Sequence, residues 1–78
     1  MDIEKTWTRW HADGWTLTVV RTTNGEHLYK SQHDNEPAAA LKPAASLPDA
    51  QHKAEDVVRS TGHRCVARCS FWEIGRAH

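Results

Sequence analysis

The sequence lacks an excess of charge of either sign, because ten lysine and arginine residues balance ten aspartate and glutamate residues. A dedicated nucleic-acid binder normally carries a basic excess, which supplies affinity by releasing counterions from the phosphates. The balanced charge argues against that class, although it leaves the distribution of charge over the surface open. Long apolar runs are also missing, and nothing approaches the ~20 apolar residues of a membrane-spanning helix.

The first five residues are polar and show no apolar run of the kind found in a signal peptide. We therefore expect a cytoplasmic protein, in which the only two cysteines are reduced. A chain of 78 residues is expected to form one small domain over 1–78. Its core must be small, and four tryptophans are the largest side chains available to fill it.

Strand and turn signals are strongest between residues 15 and 29. Trp15, Leu17 and Val19 alternate with the residues between them, which is the period of a half-buried strand. Asn24-Gly25 follows and predicts a two-residue hairpin turn of type I′, since both residue types tolerate the positive φ that this turn requires.

The two-residue turn also predicts how the two strands pair. It places Val19 opposite Lys30, so Leu28 is expected on the same face of the sheet as Val19. Tyr29 is then expected on the opposite face, together with Val20.

The segment before this hairpin predicts a first strand over residues 6–11, because it is rich in aromatic and β-branched residues. Asp13-Gly14 predicts the turn that leads into a meander of strands at 6–11, 15–21 and 27–31. Trp7 and Trp10 lie three residues apart, so a regular strand points them to opposite faces unless a bulge intervenes near His11. A tryptophan left exposed would mark a contact surface.

A proline- and alanine-rich connection at about 32–46 separates the meander from a predicted helix at about 47–61. Ser46 is the expected N-cap and precedes an acidic residue three positions later. Glu55 and Arg59 are expected on the solvated side of the helix as an i,i+4 pair. The expected core stripe consists of Leu47, Ala50, Ala54, Val57 and Val58.

The chain after the helix predicts a last strand at about 69–74, ended by Gly75. The element order is therefore β-β-β-α-β. We predict an α+β fold, with a small antiparallel sheet of three to four strands and one α-helix packed across one face.

The densest cluster of soft metal ligands in the sequence is His63, Cys65 and Cys69. Zinc takes thiolate and imidazole ligands in tetrahedral structural sites, and such an ion stabilises a small domain. Candidates for a fourth ligand are His11, His27, His52 and His78.

The spacing of these residues nevertheless argues against a metal site. It differs from the usual C-x2-C pattern, and an extended segment would separate the Cα atoms of Cys65 and Cys69 by about 13 Å. A disulfide is excluded by the same argument, because its Cα atoms lie within about 7 Å. The sequence therefore favours buried or idle thiols and no cofactor, with structural zinc at His63, Cys65 and Cys69 as an alternative.

An enzyme is not expected. A nucleophilic mechanism would need a cysteine beside a histidine such as His63 or His52, but no catalytic signature surrounds either cysteine. So short a chain also has little depth for a substrate pocket.

The residues favoured for partner binding are aromatic and basic side chains of the meander. Exposed aromatic side chains commonly dominate protein interfaces, so we expect a small non-enzymatic module that binds another protein. A nucleic acid is the alternative partner, since a sheet bearing bases and aromatics can stack nucleobases and hold phosphates. The predicted binding residues are Trp7, Arg9, Trp10, Arg21 and Tyr29.

In size and style the chain resembles the small single-domain accessory proteins of bacteria and their mobile elements, including inhibitors that occlude a larger machine. The resemblance implies an accessory or inhibitory role, and no motif contributes to it.

Overall fold

The computed structural model describes residues 2–74 and confirms the predicted α+β fold class, with one antiparallel sheet and one helix packed against it. The sheet has five strands rather than three or four, in the spatial order β4-β3-β2-β1-β5. The elements in chain order are β1 (Ile3–His11), β2 (Trp15–Thr22), β3 (His27–His33), β4 (Lys42–Ala44), α1 (Leu47–Arg59) and β5 (Glu73–Ile74). The additional strand, β4, lies within the proline- and alanine-rich connection.

The core lies between β2 and α1. Trp15 and Leu17 on alternate positions of β2 pack with Ala54 and Val58 of the helix, and all four are buried. This is the alternation predicted from the sequence, with the apolar residues of β2 turned toward the helix. Within the described chain, no helix has both the length and the apolar character needed to cross a membrane.

The predicted register of the β2–β3 hairpin is wrong by one residue. Val19 pairs with Tyr29 instead of Lys30, so Tyr29 lies on the helix-facing side and packs against the core. Leu28 pairs with Val20 on the opposite face. A one-residue shift moves every side chain of a strand to the other face of the sheet.

The cause is the turn, which has three residues between the paired ends instead of two. The Gly25 N–H donates to the Thr22 carbonyl and the Thr22 N–H donates to the Glu26 carbonyl, both at 2.9 Å. Among the three loop residues only Gly25 has a positive φ, at +84°, whereas a type I′ turn needs two such residues. A left-handed glycine after an ordinary turn is the usual geometry of a three-residue hairpin loop.

The two tryptophans of β1 lie on opposite faces, as their spacing predicts for a regular strand. Trp7 pairs with the buried Val19 and lies on the helix side, whereas Trp10 pairs with Thr16 on the open face. Trp10 is 47% exposed. The irregularity in β1 lies at its beginning, between Ile3 and Lys5, and not near the position where a bulge was considered.

Helix α1 begins at the predicted residue, and Ser46 caps it by accepting a hydrogen bond from the Asp49 N–H. Two predicted side-chain positions and one predicted ion pair are wrong. Val57 is exposed, whereas Glu55 is only 8% exposed, and Arg59 pairs with Asp56 instead. The side chains of Arg9 and His11 from β1 reach across to Glu55 and cover it, which the apolar pattern of the helix alone does not show.

The chain after the helix is mostly irregular. Residues 63–72 contain no strand, and β5 is limited to Glu73–Ile74, which pair with Trp7 and Thr8 at the outer edge of β1. The predicted strand at 69–74 is therefore wrong over its first four residues. Gly75, predicted to end it, and His78, a candidate ligand, lie outside the described residues.

Candidate metal centre

Four side chains converge at the end of β1, next to the helix. His11, His63, Cys65 and Cys69 each contribute one potential ligand atom, and these four atoms lie within 4.8 Å of one another. The candidate cluster from the sequence is thus brought together, and His11 is the fourth member among the histidines considered. His52 and His27, the other candidates within the described residues, are not part of the cluster.

The centre depends on a turn between the two cysteines, where the sequence predicts no turn. The chain reverses after α1 with Gly62 at a φ of +85°, and a second turn is closed by the Cys69 N–H donating to the Val66 carbonyl at 2.9 Å. The segment between the cysteines is therefore folded back, and the separation of about 13 Å expected for an extended strand does not apply.

His11 reaches the same point from the sheet. It is the last residue of β1 and pairs with Trp15, which places its side chain on the face covered by the helix. The two imidazole rings meet edge to face, with centroids 4.8 Å apart. Ser70 holds the later segment against β1 by donating its backbone N–H to the Trp10 carbonyl at 2.8 Å.

Two of the sulfur–nitrogen distances in the cluster match those of a tetrahedral zinc site. Cys65 Sγ lies 3.5 Å from His11 Nδ1, and Cys69 Sγ lies 3.4 Å from His63 Nε2. For Zn–S and Zn–N bonds of about 2.3 and 2.0 Å at the tetrahedral angle, the sulfur and nitrogen should lie about 3.5 Å apart. Two thiolates with two imidazoles are also a donor set that favours zinc.

Each histidine is held by a carboxylate on its other ring nitrogen. His11 Nε2 lies 3.1 Å from Glu55 Oε2, and His63 Nδ1 lies 2.5 Å from Asp13 Oδ2. Carboxylates in this position keep a proton on the distal nitrogen, so the lone pair of the proximal nitrogen points toward the cluster. Asp13 also raises the pKa of His63 through this hydrogen bond.

Each sulfur receives a hydrogen bond as well. Arg9 Nη2 donates to Cys65 Sγ at 3.4 Å, and the Ala12 N–H donates to Cys69 Sγ at 3.3 Å. Hydrogen bonding with the backbone at Val66 and at Ala12 lowers the pKa of Cys69 to about 6, so the thiolate is the favoured form of this side chain at neutral pH. Desolvation of the sulfur raises the pKa of Cys65, and the Arg9 charge opposes that rise.

Arg9 connects the helix to the segment that follows it. Its guanidinium donates to Glu55 Oε1 at 3.0 Å and to the Ser70 carbonyl at 2.9 Å, in addition to Cys65. A positive charge at this position neutralises part of the negative charge that the thiolate and the buried carboxylate bring into the centre.

The residues predicted to bind a partner do not share one surface. Trp7, Arg9 and Tyr29 lie on the helix-facing side, because each pairs directly with a residue of β2 that points toward the helix. Arg21 forms an ion pair with Glu4 at 2.7 Å. Trp10 alone among the five lies on the open face with a large exposed area.

The roles of Asp13, Glu55 and Arg9 around the centre are not predictable from the local sequence. The sequence indicates only a turn at Asp13 and a solvated helix position at Glu55. The parity of β1 could have placed His11 and Arg9 on one face, but no local pattern pairs either of them with residues more than forty positions away. The chain matches no protein-family model, no curated protein and no solved structure.

Proposed function

We propose that this chain is a small zinc-binding domain, in which one structural Zn²⁺ is held by His11, His63, Cys65 and Cys69. The observation that carries the proposal is that four ligand atoms, one from β1 and three from residues 63–69, lie within 4.8 Å of one another. The hydrogen bonds on the outer side of every ligand support it, because they orient each donor atom toward the same point.

A structural role fits this site better than a catalytic one. Four protein ligands complete the tetrahedral shell of zinc, whereas catalytic zinc keeps one position for water or substrate. The side chains of His11 and His63 are only 1% and 4% exposed, so the histidine side of the centre is closed to a substrate.

The ion would attach the chain after the helix to the end of β1. Apart from the ligands, that segment is held by the hydrogen bonds of Ser70, by the packing of Trp72 against the core and by the short strand β5. A domain of this size has a small core and commonly needs such a link. Zinc binding is therefore expected to contribute to the folding free energy directly.

The zinc content of the purified chain tests this proposal. Native mass spectrometry should show one zinc per chain, and an excess of chelator should lower the melting temperature by at least about 10 °C, which corresponds to roughly 2 kcal/mol in a domain of this size. Cys69→Ser and His11→Ala should each lose the ion.

His52→Ala is the matched control, because His52 lies exposed on α1 and outside the cluster. It should keep both the zinc and the melting temperature of the parent. A chain that holds no zinc, or a Cys69→Ser variant that binds zinc as tightly as the parent, would show that the cluster is not a metal centre.

We also propose, as a second function, that the domain is a binding module for another protein. Trp10 is 47% and Phe71 is 83% exposed, and the Ser70 hydrogen bond brings their two segments together beside the metal centre. Large aromatic side chains in such a position are frequent interface anchors.

Affinity capture from a lysate, with and without nuclease, separates a protein partner from a nucleic acid. Phe71→Ala and Trp10→Ala should each weaken capture at least about tenfold, the loss expected for an interface anchor. An unchanged yield with both variants, or a yield that nuclease removes, would contradict binding of a protein through these residues.

A further inference from the structure

The four ligands of the proposed centre differ in their access to solvent. The two histidine side chains are almost fully buried, and Cys69 is half-buried. Cys65 is an exposed residue and lies within a run of exposed residues from 64 to 68. Cys65 is therefore the ligand that a small oxidant in solution can reach most easily.

The surroundings of Cys65 also suit reaction with a peroxide. The Arg9 guanidinium lies 3.4 Å from its sulfur on the exposed side of the centre. A thiolate is the nucleophile in peroxide reduction, and coordination to zinc would hold Cys65 in that form. The neighbouring guanidinium would stabilise the hydroxide that leaves.

A second thiolate is available to complete the reaction. Cys69 Sγ is one of the four ligand atoms that lie within 4.8 Å of one another, and its residue is joined to Cys65 by a tight turn. Side-chain rotation can thus bring the two sulfurs into bonding distance once the metal no longer separates them.

We propose that Cys65 is a modification site for peroxides, at which oxidation releases the zinc that the proposed function assigns to this centre. The Cys65 thiolate attacks one oxygen of hydrogen peroxide, which breaks the O–O bond and forms a sulfenic acid and hydroxide. The Cys69 thiolate then attacks the Cys65 sulfur, forming the disulfide and expelling a second hydroxide.

The overall reaction is balanced by the peroxide alone. Two thiolates lose two electrons, one hydrogen peroxide and two protons become two water molecules, and Zn²⁺ leaves because two of its four ligands are gone. The segment that the ion attaches to β1 then depends on Ser70 and Trp72 for its position. Oxidation of one exposed sulfur would in this way weaken the attachment of the Phe71 region to the sheet.

The test uses the full chain loaded with zinc, hydrogen peroxide as the probe and a chromogenic chelator too weak to remove zinc from untreated protein. We expect release of one zinc per chain and recovery of zinc binding after a thiol reductant. The oxidised chain without metal should be lighter than the reduced chain without metal by about 2 Da, because it has lost two hydrogens. A loaded chain that keeps its zinc in excess peroxide overturns the proposal while leaving the proposed function intact. A chain that purifies without zinc and cannot be loaded overturns both.

Two matched variants identify the reacting sulfur, since histidine can replace cysteine as a zinc ligand. Cys65→His should release zinc at least about tenfold more slowly, because the exposed thiolate is absent. Cys69→His should still react, but it should gain about 16 Da as a sulfenic acid instead of forming a disulfide.

Trapping with dimedone provides a readout in the unmodified sequence, in case either variant folds poorly. At less than one equivalent of peroxide, the dimedone adduct should be found on Cys65. An adduct confined to Cys69, or equal release rates from the two histidine variants, would refute the assignment of Cys65 as the reactive site.

Discussion

Replacement of Glu55 by glutamine tests the arrangement around the proposed metal centre most directly. Glu55 is buried on α1 and contacts both Arg9, at 3.0 Å, and His11, at 3.1 Å. Glutamine keeps the size of the side chain but removes the negative charge that keeps the proton on His11 Nε2. The Glu55→Gln variant should therefore bind zinc more weakly, without losing any of its four ligands.

The expected size of the effect follows from two observations. Loss of a carboxylate behind a metal-bound histidine commonly lowers metal affinity 10- to 100-fold, or about 1.4 to 2.7 kcal/mol. Glutamine can still accept hydrogen bonds from Arg9, and the side chains of Arg9 and residue 55 both keep some contact with solvent. The Arg9 charge is therefore not left buried and unpaired, and the larger cost of that situation does not apply. We expect the zinc affinity to fall about 30-fold, within the range for such outer-shell substitutions.

Competition with a chromogenic chelator at neutral pH measures this change. Asp56→Asn is the matched control, because Asp56 follows Glu55 on the same helix but pairs with Arg59 at the surface. Its zinc affinity should equal that of the parent. A Glu55→Gln variant with unchanged affinity would refute the role of Glu55 in orienting His11, even if zinc itself is bound.

Three further predictions concern the fold. Val58→Ala should lower the free energy of unfolding by about 2 kcal/mol in denaturant titrations, because the side chain is fully buried. Val57→Ala should lower it by less than about 0.5 kcal/mol, because Val57 is exposed. Equal losses in the two variants would contradict the orientation of α1. The pKa of Asp49 is lowered, first by a hydrogen bond with the Ala45 backbone, so its contribution to stability is present above the unfolded pKa and disappears as the pH falls through the folded pKa. Asp49→Asn should accordingly be less stable than the parent at neutral pH and equally stable in acid, and a constant difference in denaturation midpoint would exclude this origin. Removal of zinc should loosen the backbone around Arg64, which is already exposed, so that trypsin can cleave after it. Mass spectrometry of the digest should show this cleavage only in the presence of chelator.

The hairpin shows why strand register could not be obtained from the sequence. Asn24-Gly25 is compatible with both a two-residue and a three-residue loop, and the two differ by one position in pairing. The loop with three residues turns Tyr29 toward α1, where its ring covers part of the core. Packing of an aromatic side chain against the helix is a tertiary contribution, and it outweighs a local turn preference.

The metal centre shows the same limit at the level of function. The chain after the helix carries the cluster of ligands, but its local pattern is equally consistent with a strand, which would have separated the two cysteines. His11 and Glu55 are recognisable as partners only after β1 and α1 are placed together. The choice among four candidate histidines depends on that contact and on nothing in the neighbouring sequence.

The sequence by itself determined the elements whose causes are local. Alternation along Trp15–Thr22 predicts β2, and the Ser46 cap with the following proline predicts the start of α1. These features, with their turn signals, are sufficient for the α+β class. Tertiary structure alone decided the register of β3, the burial of Glu55 and the convergence of His11 with the two cysteines. Each of these depends on free energy gained between segments far apart in the chain, which no window of neighbouring residues contains.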